Sequence, residues 1–195
     1  MSTDVGRRTR RPVRIANCSG FYGDRLSAAR QLLDGIHPID VLTGDWLAEL
    51  TMSILAKDRA RGGGGYAKSF VTQMTEVLGT CREGGIRIVS NAGGIAPQAC
   101  ADRVSEIASD LGVDVTIAVV DGDDLTDRIS ELVSAGERFD HLDLGVPWNG
   151  DPAQVLAANA YLGGHAITAG LQAGADVVIT GRVADAAIVL SLIHI

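Results

Sequence analysis

Five short apolar segments, each followed by a polar or glycine-containing turn and a stretch of helical periodicity, limit how this chain can fold. They are residues 13–20, 39–43, 86–91, 115–120 and 176–180. Strands of this kind are buried on both faces, and parallel strands need crossover helices between them. The alternation predicts an α/β protein with an open, mostly parallel, doubly wound (Rossmann-like) sheet, incomplete at its C-terminus. A half-built β/α barrel is the alternative, because alternation alone does not distinguish a closed sheet from an open one.

Capping and helix-breaking residues predict where the helices begin and end. Asp24 and Asp124 precede helical segments and are predicted N-caps. Pro97 is predicted to open the helix after the third strand. The four glycines at 62–65 are predicted to break the second helical segment.

The charge distribution argues against nucleic-acid binding. The formal net charge is -7, and the first twelve residues carry four arginines and one aspartate, so the rest of the chain is acidic. The basic cluster lies on a tail without apolar periodicity, whereas nucleic-acid binding needs a basic face. Residues 1–12 are predicted to be a disordered basic leader.

Hydropathy and cysteine usage predict a soluble cytoplasmic protein. The chain is 46% hydrophobic and 21% charged, and its apolar runs are too short to cross a membrane. Its three cysteines, Cys18, Cys81 and Cys100, form no CxxC pair and lie near no histidine at metal-ligand spacing. They are predicted to be reduced thiols, not parts of a disulfide framework or a zinc site.

Small and polar residues recur where the predicted strands end. Because the carboxyl ends of parallel strands share one edge, we expect these residues to lie along one crevice. Glycines let backbone N–H groups approach an anion, and helix N-termini favour negative charge. The sequence therefore predicts a site for a phosphate or carboxylate. The predicted ligand-binding residues are Asn17, Ser19, Gly20, Thr43, Gly44, Asn91, Gly93, Gly94, Gly181 and Arg182, and the predicted proton-transfer residues are Asp24, Asp45 and Asp185.

Other interpretations of these residues stay open. Arg182 and Asp185, three residues apart in a first helical turn, are suited to pair with each other. Asp121, Asp123 and Asp124 form an acidic cluster that would suit Mg²⁺, and equally a solvated cap.

A last helix is predicted from residue 160 through Ala173, with Tyr161 and His165 four residues apart on one face. A packed or surface histidine is favoured there over a general base. Trp46 and Trp148 are interpreted as packing residues.

Motifs for common cofactors and nucleophiles are absent from the sequence. No GxGxxG follows a strand, no GxxxxGK[ST] occurs, and Ser19 stands outside a GxSxG context. The sequence therefore names no cofactor and no metal.

Four ordered blocks, residues 14–24, 40–52, 85–94 and 175–185, resemble the acyclic terpene utilisation protein A family. They read RIANCSGFYGD, DVLTGDWLAELTM, GIRIVSNAGG and ADVVITGRVAD. Members of that family are considerably longer, so the resemblance implies that residues 13–189 are a truncated N-terminal α/β domain. Residues 190–195, LSLIHI, are the translation of a sequence similar to a transposon-end adapter, and we expect them to be non-native.

The resemblance implies a role in bacterial breakdown of acyclic terpenes such as citronellol and geraniol, and in related branched acyl-CoA pathways. We expect an enzyme that binds an acyl-CoA or carboxylic acid, with no membrane or nucleic-acid partner. The alternative is a noncatalytic ligand-binding or assembly subunit that partners a carboxylase or ligase of the same pathway. The cofactor is unknown, and assembly into a homo-oligomer is left open.

Overall fold

A five-stranded parallel sheet forms the centre of the protein. The computed structural model describes residues 11–194, and of residue 194 the backbone alone. The strands, in chain order, are β1 (Ile15–Asn17), β2 (Val41–Gly44), β3 (Arg87–Ser90), β4 (Ile117–Val120) and β5 (Val177–Thr180). Their order across the sheet is β1-β2-β3-β5-β4, and every neighbouring pair is parallel. The described sheet is open, which confirms the Rossmann-like prediction over the barrel.

Seven α-helices accompany the sheet in the described part of the chain. They are α1 (Ala28–Leu33), α2 (Glu49–Ala60), α3 (Lys68–Gly84), α4 (Pro97–Leu111), α5 (Ile129–Ser134), α6 (His165–Gln172) and α7 (Ala187–Leu190). Short 3₁₀ helices lie at Thr126–Arg128, Pro152–Gln154 and Ser191–His194. Pro97 is the first residue of α4, which confirms that it opens this helix. Proline is tolerated there because a backbone N–H in the first turn makes no hydrogen bond within the helix.

Both faces of the sheet are buried, because successive side chains of each strand point to opposite sides. Leu42, Ile88 and Val177 pack on one face with α1, α3 and α4, and the buried side of α2 joins this cluster. Val89 and Val178 pack on the other face with α6 and α7. This double burial explains why the strands read as continuous apolar runs.

The chain changes faces between the neighbouring strands β3 and β5. The connections that follow β1, β2 and β3 lead to helices on the first face, whereas α6 and α7, on either side of β5 in the chain, pack on the second face. A crevice opens at the carboxyl edge of an open α/β sheet where adjacent strands send the chain to opposite sides. The residues that follow β3 and β5 therefore border this crevice.

The predicted helix from residue 160 is wrong in its first turn. Helix α6 begins at His165, and residue 159 pairs with Asp124 while Leu162 pairs with Val183 in isolated β-bridges. Gly163 and Gly164 interrupt the helical stretch, and glycine is a poor helix former. Tyr161 therefore does not share a helix face with His165.

The predicted N-cap at Asp24 is also wrong. Helix α1 begins at Ala28, and Ser27 stands at its N-cap position. The Asp24 carboxylate accepts hydrogen bonds from the backbone N–H groups of Gly20 and Arg25, at 3.0 and 2.7 Å. Asp24 therefore closes the loop after β1. Asp124 stands one residue before Leu125, the N-cap of a 3₁₀ helix, so its predicted position is also wrong, although its carboxylate accepts from the N–H of Thr126 at 2.9 Å.

The two ends of the chain are described only in part. Residues 1–10, where most of the predicted leader falls, lie outside the described residues. Arg11 donates two hydrogen bonds to the Asp40 carboxylate, at 2.7 and 2.9 Å. At the other end, Leu192 packs against the second face of the sheet. Within residues 11–194 no helix is both long and apolar enough to cross a membrane.

Candidate functional site

Asn91 joins the loops that follow β2 and β3. Its side chain is fully buried. Its Oδ1 accepts from the N–H of Trp46 and its Nδ2 donates to Oδ1 of Asp45, both at 2.7 Å. Burial raises the pKa of Asp45, and the hydrogen bonds from Asn91 and Leu47 only partly oppose that effect. A carboxyl with a raised pKa beside a crevice is suited to proton transfer.

Arg182 is a nearly buried cation directly after β5. The residue is 3% exposed. Its Nη1 donates to the carbonyl of Leu47 at 3.2 Å and to Oδ1 of Asp185 at 3.0 Å, and its Nη2 lies 3.6 Å from Oε1 of Glu49. Its Nε is buried and has no hydrogen-bond partner among the described residues. A buried charge that lacks one partner indicates a place for a ligand oxygen.

Asp123 holds the backbone of Arg182 in place. The residue is 2% exposed, and its Oδ2 accepts from the N–H of Arg182 at 2.7 Å and from Nδ2 of Asn159 at 2.9 Å. A Cβ on Gly181 would lie 2.3 Å from Oδ1 of Asp123, so the close approach requires glycine there. Burial raises the pKa of Asp123.

No metal site is formed by the acidic cluster considered for Mg²⁺. Across residues 11–194, no group of three or more His, Cys, Asp or Glu side chains is arranged to hold a metal ion. Asp123 instead faces Arg182 and Asn159, whereas Asp121 and Asp124 are exposed.

Residues 157–162, which we call the edge strap, cross the carboxyl edge of the sheet. The carbonyl of Ala158 accepts from the N–H of Leu125 at 2.7 Å, which ties the strap to the loop after β4. Leu162 donates to the carbonyl of Arg182 at 3.2 Å and accepts from Ala184 at 2.9 Å, which ties it to the loop after β5. The strap thereby brings the ring of Tyr161 over Arg182.

A cavity of about 230 Å³ opens beside Arg182. The Tyr161 hydroxyl donates to the carboxylate of Glu49 at its rim, and this bond lowers the pKa of Glu49. Glu49 and Asp185, the two carboxylates paired with Arg182, have side chains that are 79% and 65% exposed. Because each carboxylate already reaches water, a ligand carboxylate can take the place of either of them beside the buried guanidinium. The cavity is lined by Glu49, Met52, Ser53, Ala157, Asn159, Tyr161 and Arg182.

The predicted residues after β1 line a different cavity, of about 200 Å³. Asn17, Ser19, Gly20 and Asp24 all border it. Thr43 donates to Oδ1 of Asn17 at 3.1 Å and so belongs with this group. The structure therefore divides the predicted site. Of the other predicted residues Arg182 lines the second cavity, Asp185 pairs with Arg182, and Asp45 and Asn91 pair with each other without lining that cavity.

The predicted glycines Gly44, Gly93 and Gly94 permit close packing. A Cβ on Gly93 would lie 2.5 Å from the carbonyl oxygen of Thr180, so only glycine lets the loops after β3 and β5 meet. Gly94 has a φ of +57°, which favours glycine, and a Cβ there would lie 2.4 Å from Leu55. A Cβ on Gly44 would lie 2.8 Å from Nε1 of Trp46.

Sequence reasoning missed Glu49, Asn159 and Tyr161 as neighbours of Arg182. Asn159 and Tyr161 lie in a region without regular periodicity, and Glu49 reads as an ordinary first-turn residue of a helix. The sequence offered one guide, the tendency of ligands to bind at the carboxyl ends of parallel strands. That guide selects residues next to strands, and the edge strap does not follow a strand.

Comparison with known proteins gives one result that bears on identity. The sequence model described as acyclic terpene utilisation family protein AtuA matches residues 13–194. No curated protein and no solved structure matches. Because the match spans nearly the whole chain, the protein belongs to the acyclic terpene utilisation family.

Proposed function

We propose that this protein is an enzyme of acyclic terpene or branched acyl-CoA catabolism that binds a carboxylate-bearing or acyl-CoA substrate at the carboxyl edge of its sheet. The family supports the pathway, and the site supports the ligand class. The observation that carries the proposal is Arg182, a nearly buried cation that lines a cavity and whose two carboxylate partners are exposed.

A guanidinium is suited to this task because its donors match the two oxygens of a carboxylate. The hydrogen bond that Arg182 donates to the carbonyl of Leu47 and the bond between Asp123 and the Arg182 backbone hold the side chain ready before a ligand arrives. An incoming carboxylate displaces Glu49 or Asp185 into solvent, so the charge on Arg182 stays compensated throughout.

Asp45 is the residue we assign to proton transfer. It is half-buried, its pKa is raised, and Asn91 fixes the position of its Oδ1. A carboxylate with a raised pKa is a stronger base than an ordinary one, which suits it to abstracting a proton next to a carbonyl carbon. Asp185 is exposed and already paired with Arg182, and Asp24 lies at the other cavity, so neither has the environment of Asp45.

Titration calorimetry of the 195-residue chain with octanoate and octanoyl-CoA tests the binding step. Wild type is expected to bind at least one of them, and Arg182→Gln to weaken binding at least tenfold, since a charge-assisted bond contributes about 1.5–3 kcal/mol. Arg103→Gln, on the exposed side of α4, is the matched control for loss of a positive charge. Equal affinity in all three chains would remove the proposal.

The proton-transfer role is tested separately by incubating octanoyl-CoA with the chain in D₂O and following deuterium at the carbon next to the thioester. Wild type is expected to exchange this proton, and Asp45→Asn to lose exchange while retaining affinity. Exchange that is unchanged in Asp45→Asn would exclude Asp45 as the base.

The second candidate is a noncatalytic ligand-binding or assembly subunit for a carboxylase or ligase of the same pathway. Its support is an exposed turn between residues 138 and 148. In this turn the backbone N–H of His141 donates to the carbonyl of Val146, and the backbone N–H of Trp148 donates to the carbonyl of Arg138. Leu142 and Leu144 on this turn are 100% and 69% exposed. Binding of octanoyl-CoA without any deuterium exchange would favour this candidate over the enzyme.

A further inference from the structure

Two cavities adjoin on the outer side of α2. The smaller one, of about 230 Å³, contains Arg182, and the larger one, of about 460 Å³, contains Trp148 and Lys57. Ser53 and Ala157 line both of them. The two cavities therefore lie side by side at these residues, and we call the surface that they line together the groove.

The groove follows a single stripe of helix α2. Its lining residues from this helix are Glu49, Met52, Ser53, Ala56 and Lys57. Spacings of three and four residues place side chains on one helix face. At a rise of 1.5 Å per residue, the stripe is about 12 Å long. Leu156 and Ala157 form the opposite wall, so the groove has the dimensions of an extended chain of roughly eight to ten carbon atoms.

Charge is distributed unevenly along this groove. Arg182 is its one nearly buried cation within the described residues, and it lies at the Glu49 end. At the far end Lys57 is exposed and shares the lining with Asp151, so the two charges offset each other. Between the ends, Met52 and Ala56 form the floor but are only 7% and 5% exposed, so most of the apolar surface comes from Leu156, which is 65% exposed, and from the Trp148 ring.

We infer that the groove binds an elongated monocarboxylate in one direction, with its carboxylate on Arg182 and its hydrocarbon chain over Met52 and Ala56 towards Trp148. The inference rests on the proposed function, because it uses the same arginine as the anchor. It adds the shape of the ligand, its orientation and a role for Ser53 at the narrow junction of the two cavities.

A chain-length series tests this inference. Dissociation constants of straight-chain acids from butanoate to dodecanoate are measured by titration calorimetry on the 195-residue chain. Each added methylene is expected to tighten binding about threefold, until the chain fills the groove near eight to ten carbons. Beyond that length, affinity is expected to level off because the added carbons remain in water.

Ser53→Trp is the variant that closes the junction. Ser53 is exposed on α2, so the larger side chain is tolerated by the fold, which a thermal melt verifies. The variant is expected to lose at least tenfold in decanoate affinity, and to lose more affinity for decanoate than for butanoate. Leu50→Trp is the matched control, because Leu50 is 73% exposed on the same helix and lines neither cavity.

The possible outcomes separate the inference from the proposed function. A length-dependent gain that Ser53→Trp abolishes and Leu50→Trp preserves supports the groove. Affinity that is independent of chain length in wild type, or a decanoate affinity untouched by Ser53→Trp, overturns the groove and leaves the anion site standing. Failure of every acid and of octanoyl-CoA to bind overturns both.

Discussion

The guanidinium carbon of Arg182 lies 4.2 Å from the centroid of the Tyr161 ring. Arg182 follows the strand β5 and is nearly buried, whereas Tyr161 belongs to the edge strap and is 53% exposed. A cation stacked on an aromatic ring stabilises a partly exposed site by about 1 kcal/mol. The contact therefore joins the strap to the sheet and covers one face of the anchoring cation.

Tyr161→Leu is expected to lower the free energy of unfolding by about 1 kcal/mol, because it removes the ring from Arg182. Tyr161→Phe keeps the ring and loses only the hydroxyl bond to the exposed Glu49, so its loss is expected to be below about 0.5 kcal/mol. Urea denaturation of the three chains measures the difference. Equal losses in both variants would show that the hydroxyl, and not the ring, is the stabilising group.

Gly181→Ala is expected to destabilise the protein by about 2 kcal/mol or more, because the new Cβ would lie 2.3 Å from Oδ1 of Asp123 and force a buried carboxylate to move. Gly79→Ala is the matched control: it lies inside α3 with no atom within 4 Å of the added Cβ, and alanine there is expected to stabilise by about 0.5–1 kcal/mol. Thermal and urea denaturation measure both changes. A neutral Gly181→Ala would mean that Asp123 is not fixed in place.

The contribution of Asp45 to stability is expected to decrease as the pH rises above about 4, because burial raises the folded-state pKa of Asp45 above its ordinary value of 3.8. Between those two values the folded chain binds more protons than the unfolded chain. The stabilisation is complete below the ordinary pKa and is lost as the pH passes through the folded one. Asp123, whose pKa burial also raises, contributes in the same direction.

Asp45→Asn removes one of these titrations, so as the pH rises above about 4 the Tm of that variant is expected to lose less, or gain more, than the Tm of wild type. Asp110→Asn, an exposed change in α4, controls for the loss of one negative charge. Melting curves over the pH series provide the slopes. Parallel slopes for wild type and Asp45→Asn would contradict the prediction.

The three cysteines are expected to be unreactive in the folded protein. All are buried, and burial raises the pKa of Cys18 and Cys100 to about 12 and that of Cys81 to about 11. Thiolates, not thiols, attack disulfide reagents, so the native chain is expected to release almost no thionitrobenzoate from Ellman's reagent at pH 8. In guanidinium chloride all three thiols are expected to react. Rapid reaction of one thiol in the native chain would show that this cysteine is accessible to the reagent and would contradict the prediction.

The fold was predictable because its signals are local. Each strand is an apolar run that is followed by a turn, and Pro97 marks a helix start by its own backbone chemistry. The edge strap carries no such signal. Its hydrogen bonds join residues 158 and 162 to loops far apart in the chain, and neither spacing nor propensity indicates long-range contacts of that kind.

The sequence was sufficient to predict that the candidate site lies at the carboxyl edge of the sheet. Asp45, Asn91, Arg182 and Asp185 all follow strands whose carboxyl ends share that edge. The order of the strands, which the sequence does not reveal, separates Asn17 from Arg182. Strands β1 and β5 are three positions apart, or about 14 Å at the spacing of a sheet, so residues after both of them cannot line one small cavity.

The central position of β5 has a consequence for how the protein is made. Strand β5 is synthesised after both β3 and β4, yet it lies between them and pairs Ile88 with Val177. A chain emerging from the ribosome therefore carries two strands with unpaired facing edges until residue 180 is free. The pairing of β5 with β3 and β4 therefore comes late and joins distant parts of the chain. Before it forms, the nascent chain is most exposed to aggregation and to chaperones that bind open strand edges.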